Sequence, residues 1–308
     1  MTDGMDLPGT AAPTRGQDPP GGPPSGGDAR APSLWRRLND LNGRVLLGGL
    51  LLVLILLLAA FAPLIANHDP LNINMGIRLT GPTSDNFFGT DNNGRDVFSR
   101  VVYGTRVSVF VGGGVVLFST VIGTLIGLVA GYYRKLDGPF MRLMDGFMAF
   151  PGILLAIAIM AALGASARNV IIALTITYTP RTARVVRGKV LSVREETYVE
   201  SARAIGLKDG RIIFRYILPN TFAPLMVQAT FILALAIISE AGLSFIGAGT
   251  PPPTPSWGNI LADGRGFMLN APWMTLFPGL FIMISVLGLN IMGDGLRDVL
   301  DPRMKDEQ

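Results

Sequence analysis

Residues Glu195–Asn220 read EETYVESARAIGLKDGRIIFRYILPN, a charged stretch set between two long apolar runs. Tyr198, Ala202 and Ile205 fall at i, i+4 and i+7 and predict one face of a helix. Gly206 interrupts that helix, because glycine costs about 1 kcal/mol against alanine in a helix interior. Asp209-Gly210 marks a turn or a second helix start, and Ile212, Ile213 and Tyr216 offer a second, shorter apolar face. Pro219 bars continuation, and the residue before it leans away from helix. The expected order is a helix, a glycine elbow, a short helix and a proline that leads back into apolar sequence.

What surrounds this stretch sets the class. The chain has 308 residues, of which 49% are hydrophobic and only 16% charged, with a mean hydropathy of +0.43. Soluble domains carry about 25% charged residues. The expectation is an all-α polytopic membrane protein. No cysteine is present, which excludes disulfides and removes redox as a guide to compartment. The net charge of +4 is not gathered into one patch, so nucleic acid is set aside as a partner.

Outward towards the amino terminus, residues 1–33 hold seven Gly and seven Pro and no apolar run. Such composition buries too little to offset chain entropy and predicts a disordered tail, continued by a basic segment to Arg44. Val45–Ala66 follows as 22 uncharged residues, and about 20 are needed to cross the hydrocarbon. Ala60-Phe61-Ala62 mimics a signal-cleavage site, but the late start and length of the run favour a retained span. The polar segment 67–106 contains FFGTDNNGRDVFSR from Phe87 to Arg100, with Asp91 and Asp96 able to pair with Arg95 or Arg100. Val107–Tyr133 is uncharged and rich in glycine (Gly112 to Gly114, Gly123, Gly127, Gly131), which suits close helix packing in lipid. This helix and the fifth span are expected to line the pore.

Tyr132–Met141 reads as a short basic turn, and Gly146–Ala167 as a third span kinked at Pro151, with Asp145 at its edge near Arg142. Asn169 to about Val186 is the shortest span, with Arg181 and Arg184 snorkelling or facing protein, or else a re-entrant segment. Thr221–Ser239 is the fifth span. Glu240 at its outer end would be interfacial or pore-facing, with a structural role that accepts backbone hydrogen bonds. TPPPTPSWGNIL from Thr250 is a stiff loop whose Trp257 suits a membrane interface. Ala271–Gly293 is the sixth span, and its exit GDGLRDVLDPR sets Asp294 and Arg297 at i, i+3.

The expected layout is therefore a cytoplasmic tail over 1–44, a transmembrane domain over 45–300 and a cytoplasmic tail over 301–308. Its spans lie at about 45–66, 107–133, 146–167, 169–186, 221–239 and 271–293, with a cytoplasmic loop over 187–220. With the amino terminus inside, 20 of the 26 basic residues fall on the inner segments and six on the outer. That excess obeys the positive-inside rule and places both termini and the 187–220 loop in the cytoplasm.

Glu200-Ser201-Ala202, Gly206 and Leu218-Pro219 together resemble the EAA loop of ABC importer permeases, with Ser201 where alanine is usual and Tyr216 where the pattern has an aliphatic residue. GTDNNGRD, PPPTPSWG and GDGLRDVLDPR are similar to segments of the dipeptide/oligopeptide/nickel branch of that family, over about Leu41–Arg303. The resemblance implies a type I ABC importer permease fold in a bacterial or archaeal inner membrane. It also implies a homologous permease partner of the B type, two ABC ATPase subunits that carry ATP and Mg, and an extracytoplasmic substrate-binding protein. The docking contact to the ATPase would involve Glu200, Ala202, Gly206, Leu207 and Asp209, with the small Ala202 and Gly206 fitting a close groove. The cargo would be a peptide or related solute, selected by the delivery protein.

The absences agree. No GxxxxGK[ST] loop is present to cradle ATP, so the chain is not expected to be an enzyme or to bind a cofactor itself. His68 is the single histidine and lies in a polar loop, which leaves no metal cluster and no Ser/His/Asp arrangement. An ion-coupled secondary transporter would bury acidic groups across the membrane, and only Asp145 and Glu240 come near. A non-transporting membrane scaffold, or an amphipathic helix lying on the membrane surface at 195–220, is the remaining alternative.

Overall fold

The glycine-rich run forms the second half of an unusually long helix, α3 (Val97–Tyr132). It starts ten residues before the uncharged run because Asp96 caps it, its carboxylate accepting the Ser99 N–H. The computed structural model describes residues 43–300, so the expectations for the tails at 1–42 and 301–308 lie outside the described residues. Ahead of α3 come α1 (Gly43–Ala60) and the single turn α2 (Ala62–Ile65), separated at Phe61 with Pro63 in the first turn of α2. After it come α4 (Arg134–Met148), α5 (Gly152–Leu163), α6 (Ala167–Arg194), α7 (Thr197–Ala204) and α8 (Asp209–Ile212). The chain closes with α9 (Phe222–Phe245), α10 (Trp257–Gly264) and α11 (Trp273–Leu300).

Several boundaries differ from the expected ones for identifiable reasons. The basic turn expected at Tyr132–Met141 is the helix α4, and the run 146–167 is divided. Pro151 has no N–H to continue α4 and instead caps α5, and the two helices meet at 89°. Pro219 does not break the chain. A five-residue π segment (Ile213–Ile217) and a 3-10 turn (Leu218–Thr221) absorb its missing donor, so Asp209–Phe245 runs on as 37 helical residues. α6 extends to Arg194, eight residues past the expected end of its span.

Among the described residues, four elements are long and apolar enough to cross a membrane, α1, α3, Asp209–Phe245 and α11, with the bent α4–α5 pair as a fifth. α6 is long enough, but Arg181, Arg184, Arg187, Lys189 and Arg194 make it too polar to stand alone in lipid. It is instead packed inside the chain along α3. A Cβ on Gly123 would meet Thr182 Cβ at 2.6 Å, one on Gly127 would meet Val186 Cβ at 2.6 Å, and one on Gly131 would meet Val190 Cβ at 2.7 Å. Glycine at each of three successive turns of α3 thus lets α6 lie against its backbone. These glycines are internal packing, and the expectation that this part of the second span lines a pore gives way to that geometry.

At the far end of α3 the GTDNNGRD segment is a knot. Asp91, fully buried, accepts from the Arg95 Nε at 2.7 Å and from Arg100, and Asp263 of α10 takes a second nitrogen of each at 3.1 and 3.0 Å. Gly94 at φ +71° brings its backbone against Asn74, where any Cβ would collide with a carbonyl oxygen. Trp257 is fully buried and donates to the Val101 carbonyl at 2.9 Å, so it pins α10 to α3 and does not sit at an interface. Glu240 is also fully buried, neither interfacial nor pore-facing. It accepts the Ser244 and Thr250 hydroxyls at 2.7 and 3.3 Å, tying α9 to the turn after it through side chains where backbone donors were expected. Asp145 pairs with Arg184 and not Arg142, and Asp298 reaches Arg44 of α1 at 3.4 Å.

Two measurements check this packing. Gly127→Leu forces α3 from α6 and should cost about 3 kcal/mol or more, seen as a lowered melting temperature of the detergent-purified protein. Asp91→Asn leaves two buried guanidinium groups short of charge and should destabilise by about 3–5 kcal/mol in the same assay. An unchanged melt in either case contradicts the assigned contact.

Candidate coupling segment

The segment from Arg194 to Thr221 is built onto the end of the α3–α6 pair. Val186, Val190 and Val193 of α6 continue into Val199 and Ala202 of α7, then Ile212, Ile213 and Ile217, with Leu128 and Tyr132 of α3 closing the cluster. Arg194 points back and donates to the Gly131 carbonyl at 3.0 Å, a cation at the C-terminal end of α3 where the helix dipole favours it. Its guanidinium also holds Glu195 at 2.9 Å, and this bond lowers the Glu195 carboxyl below its usual range.

Tyr132 is the junction. Its hydroxyl donates to Asp209 Oδ1 at 2.8 Å, and the Arg203 guanidinium lies 5.3 Å from its ring centroid. One side chain at the end of α3 therefore touches both α7 and α8. Between those helices Gly206 adopts φ +78°. Its N–H donates to the Arg203 carbonyl at 2.9 Å and that of Leu207 to the Ala202 carbonyl at 3.1 Å. This is the paired Schellman closure of a helix end, and it satisfies carbonyls that α7 would otherwise leave free. Ser201 returns its hydroxyl to the Thr197 carbonyl at 2.8 Å, which explains why a polar residue is accommodated where alanine is usual.

The structure divides the five residues expected to dock. Glu200 and Gly206 face outward, and a Cβ at Gly206 would meet nothing within 4 Å. Ala202 is 4% exposed and turns into this chain's own core, and Leu207 is half-buried against the same cluster. Asp209 is exposed but engaged by Tyr132. The face predicted from Tyr198, Ala202 and Ile205 is rotated: Val199 and Ala202 point in, while Ile205, at the C-cap, is 77% exposed. Phe214 is likewise 63% exposed. Neither stands among the five residues expected to dock. A clue lay in the second helix, where Ile213 and Ile217 at i, i+4 leave Phe214 on another face. Glu200, Lys208, Arg211 and Arg215, close to them in the sequence, are exposed as well. Among the described residues no group of acidic or histidine side chains could hold a metal ion.

The chain can now be set beside known proteins. The family described as "Binding-protein-dependent transport system inner membrane component" matches residues 123–306, and the "N-terminal TM domain of oligopeptide transport permease C" matches residues 34–82. The dipeptide transport system permease protein DppC of Alkalihalophilus pseudofirmus is 47% identical over 290 residues, covering 93% of this chain and 95% of that one. The glutathione transport system permease protein GsiD of Pectobacterium atrosepticum is 44% identical over 273 residues, covering 88% and 90%. A solved inward-facing structure of the MetNI methionine ABC transporter shares the fold at a TM-score of 0.57 and 20% identity, over 66% of this chain and 97% of the matched chain. The order of motifs, the helix pattern and these matches converge: the chain belongs to the binding-protein-dependent transport system inner membrane components, as a membrane-embedded ABC importer permease and not an enzyme.

Proposed function

We propose that this chain forms half of the translocation path of an ATP-driven peptide importer, paired with a homologous B-type permease chain. Two separate ATPase subunits hold the ATP and Mg, and a substrate-binding protein delivers cargo from the outer side. The names of the relatives support peptides as the cargo class, since dipeptides and glutathione are both short peptides. In this reading both termini and residues 187–220 face the cytoplasm, in keeping with the distribution of basic residues.

The observation that carries the contact to the ATPase is the outward exposure of Ile205 and Phe214 on a base held by Tyr132, Arg194 and the valine cluster. Exposed apolar side chains with exposed charged neighbours in the sequence suit an interface whose centre is dry and whose rim is polar. Glu200, Gly206 and Asp209 belong to that contact, and Ala202 and Leu207 support it from beneath. Motion of an ATPase seated there reaches the spans through α6 and through the helix that starts at Asp209.

Two substitutions test the contact. Ile205→Asp should lower recovery of ATPase with the tagged permease by at least tenfold while the permease stays monodisperse. Gly206→Asp places a side chain in open space at a left-handed position that aspartate tolerates, so the protein should fold while ATP-driven uptake falls to background. Full uptake by Gly206→Asp would remove the docking assignment.

A further inference from the structure

α6 carries a row of six cations, and three of them, Arg184, Arg187 and Arg194, are neutralised within the chain, while Arg168, Arg181 and Lys189 have no carboxylate within 4.0 Å among the described residues. Arg184 pairs with Asp145, Arg187 bonds Asp137 at 2.6 Å, and Arg194 bonds Glu195. Arg181, one turn before Arg184, has no carboxylate within 4.0 Å among the described residues. It is exposed, and it opens into a cavity of about 500 Å³ between α6, α9 and α11. The walls are mostly apolar, Phe231, Leu235, Ile238 and Val286 among them, and Gln228 of α9 and Asn290 of α11 bring two carboxamides to the same space. Neither carboxamide is engaged in a hydrogen bond elsewhere among the described residues.

An unneutralised cation among membrane-spanning helices is costly and faces a path or a partner charge. An apolar recess with a few converging polar groups is the usual form of a small-molecule site. A guanidinium fork matches a planar carboxylate with two parallel bonds, and carboxamide N–H groups can donate to the same oxygens. We infer that Arg181, with Gln228 and Asn290, forms a carboxylate-binding station on the transit path, which takes the C-terminal carboxylate of a peptide in passage. The station lies in the half of the bundle nearer the 195–220 segment: Gln228 is six residues into α9, about 9 Å along its axis. It rests on the peptide-importer reading and adds to it a point of selectivity inside the membrane, separate from the delivery protein. Binding there has to be weak, because cargo must leave as well as arrive.

The test uses the whole complex, reconstituted in liposomes with its binding protein, and labelled trialanine as the probe. Arg181→Gln should lower the initial uptake rate about tenfold, and Arg181→Lys should keep the rate within threefold of the parent. In Arg181→Gln the partner permease should be recovered in full, and ATP hydrolysis stimulated by the loaded binding protein should stay within twofold. Trialanine amide, which lacks the carboxylate, should not lose the same factor. Uptake within twofold of the parent in Arg181→Gln overturns the station. So does an equal loss for the amide, or loss of the partner permease from the complex, which would make Arg181 the counter-charge of an acidic residue on that chain. If the unaltered complex imports no peptide, the peptide reading itself fails, and the station falls with it.

Discussion

Close approach of α3 and α6 is the constraint from which the rest of the molecule follows. α6 is too cationic to face lipid along its length, so it must be sheathed by protein. Hydrophobic collapse does not drive helices together in a bilayer, because lipid tails are as apolar as leucine. What remains is backbone proximity, and Gly123, Gly127 and Gly131 supply it by leaving α6 room for Thr182, Val186 and Val190. The other contacts of α6 then fall into place: α4 and its two aspartates neutralise Arg184 and Arg187, and Arg194 reaches the carbonyl end of α3.

The two ends of this pair are treated differently. At one end, buried ion pairs among Asp91, Arg95, Arg100 and Asp263 lock the GTDNNGRD segment to α10, and Trp257 and Trp273 fasten α10 and α11 through hydrogen bonds to the backbone of Val101 and Thr90. At the other end a single tyrosine hydroxyl, a cation over its ring and an aliphatic cluster hold the 195–220 segment. Desolvated charges resist rearrangement, whereas aliphatic contacts and one hydroxyl bond can shift at modest cost. Rigidity is therefore concentrated away from the proposed ATPase contact, and compliance beside it.

Much of this was legible from residue order alone. The apolar runs located α1, α3, α9 and α11, and the glycine at 206 located the elbow, because those signals are local and depend on backbone chemistry. Three features were not legible. The periodicity sets Ile205 on one face with Tyr198 and Ala202, since a helical period counts an apolar residue whether or not the helix still continues there. The 89° bend at Pro151 was read as a kink, because a proline reports the lost donor but not the direction taken afterwards. Pro219 was read as a stop, although a π segment upstream makes room for it. Trp257 and Glu240 misled for a related reason: amphipathic or charged residues near the end of an apolar run suggest the interface, and only tertiary contacts show that both are interior.

The helix that runs unbroken from Asp209 to Phe245 has a mechanical meaning. At 1.5 Å per residue it measures about 55 Å, so pivoting it by about 5° would displace one end by about 5 Å relative to the other. Its first turn is gripped by Tyr132, and its last turns hold Glu240 and Ser244 against Thr250. A stiff rod with a hold at each end converts a slight tilt on one side of the bilayer into a wide swing on the opposite side, with no need for any residue between them to change conformation.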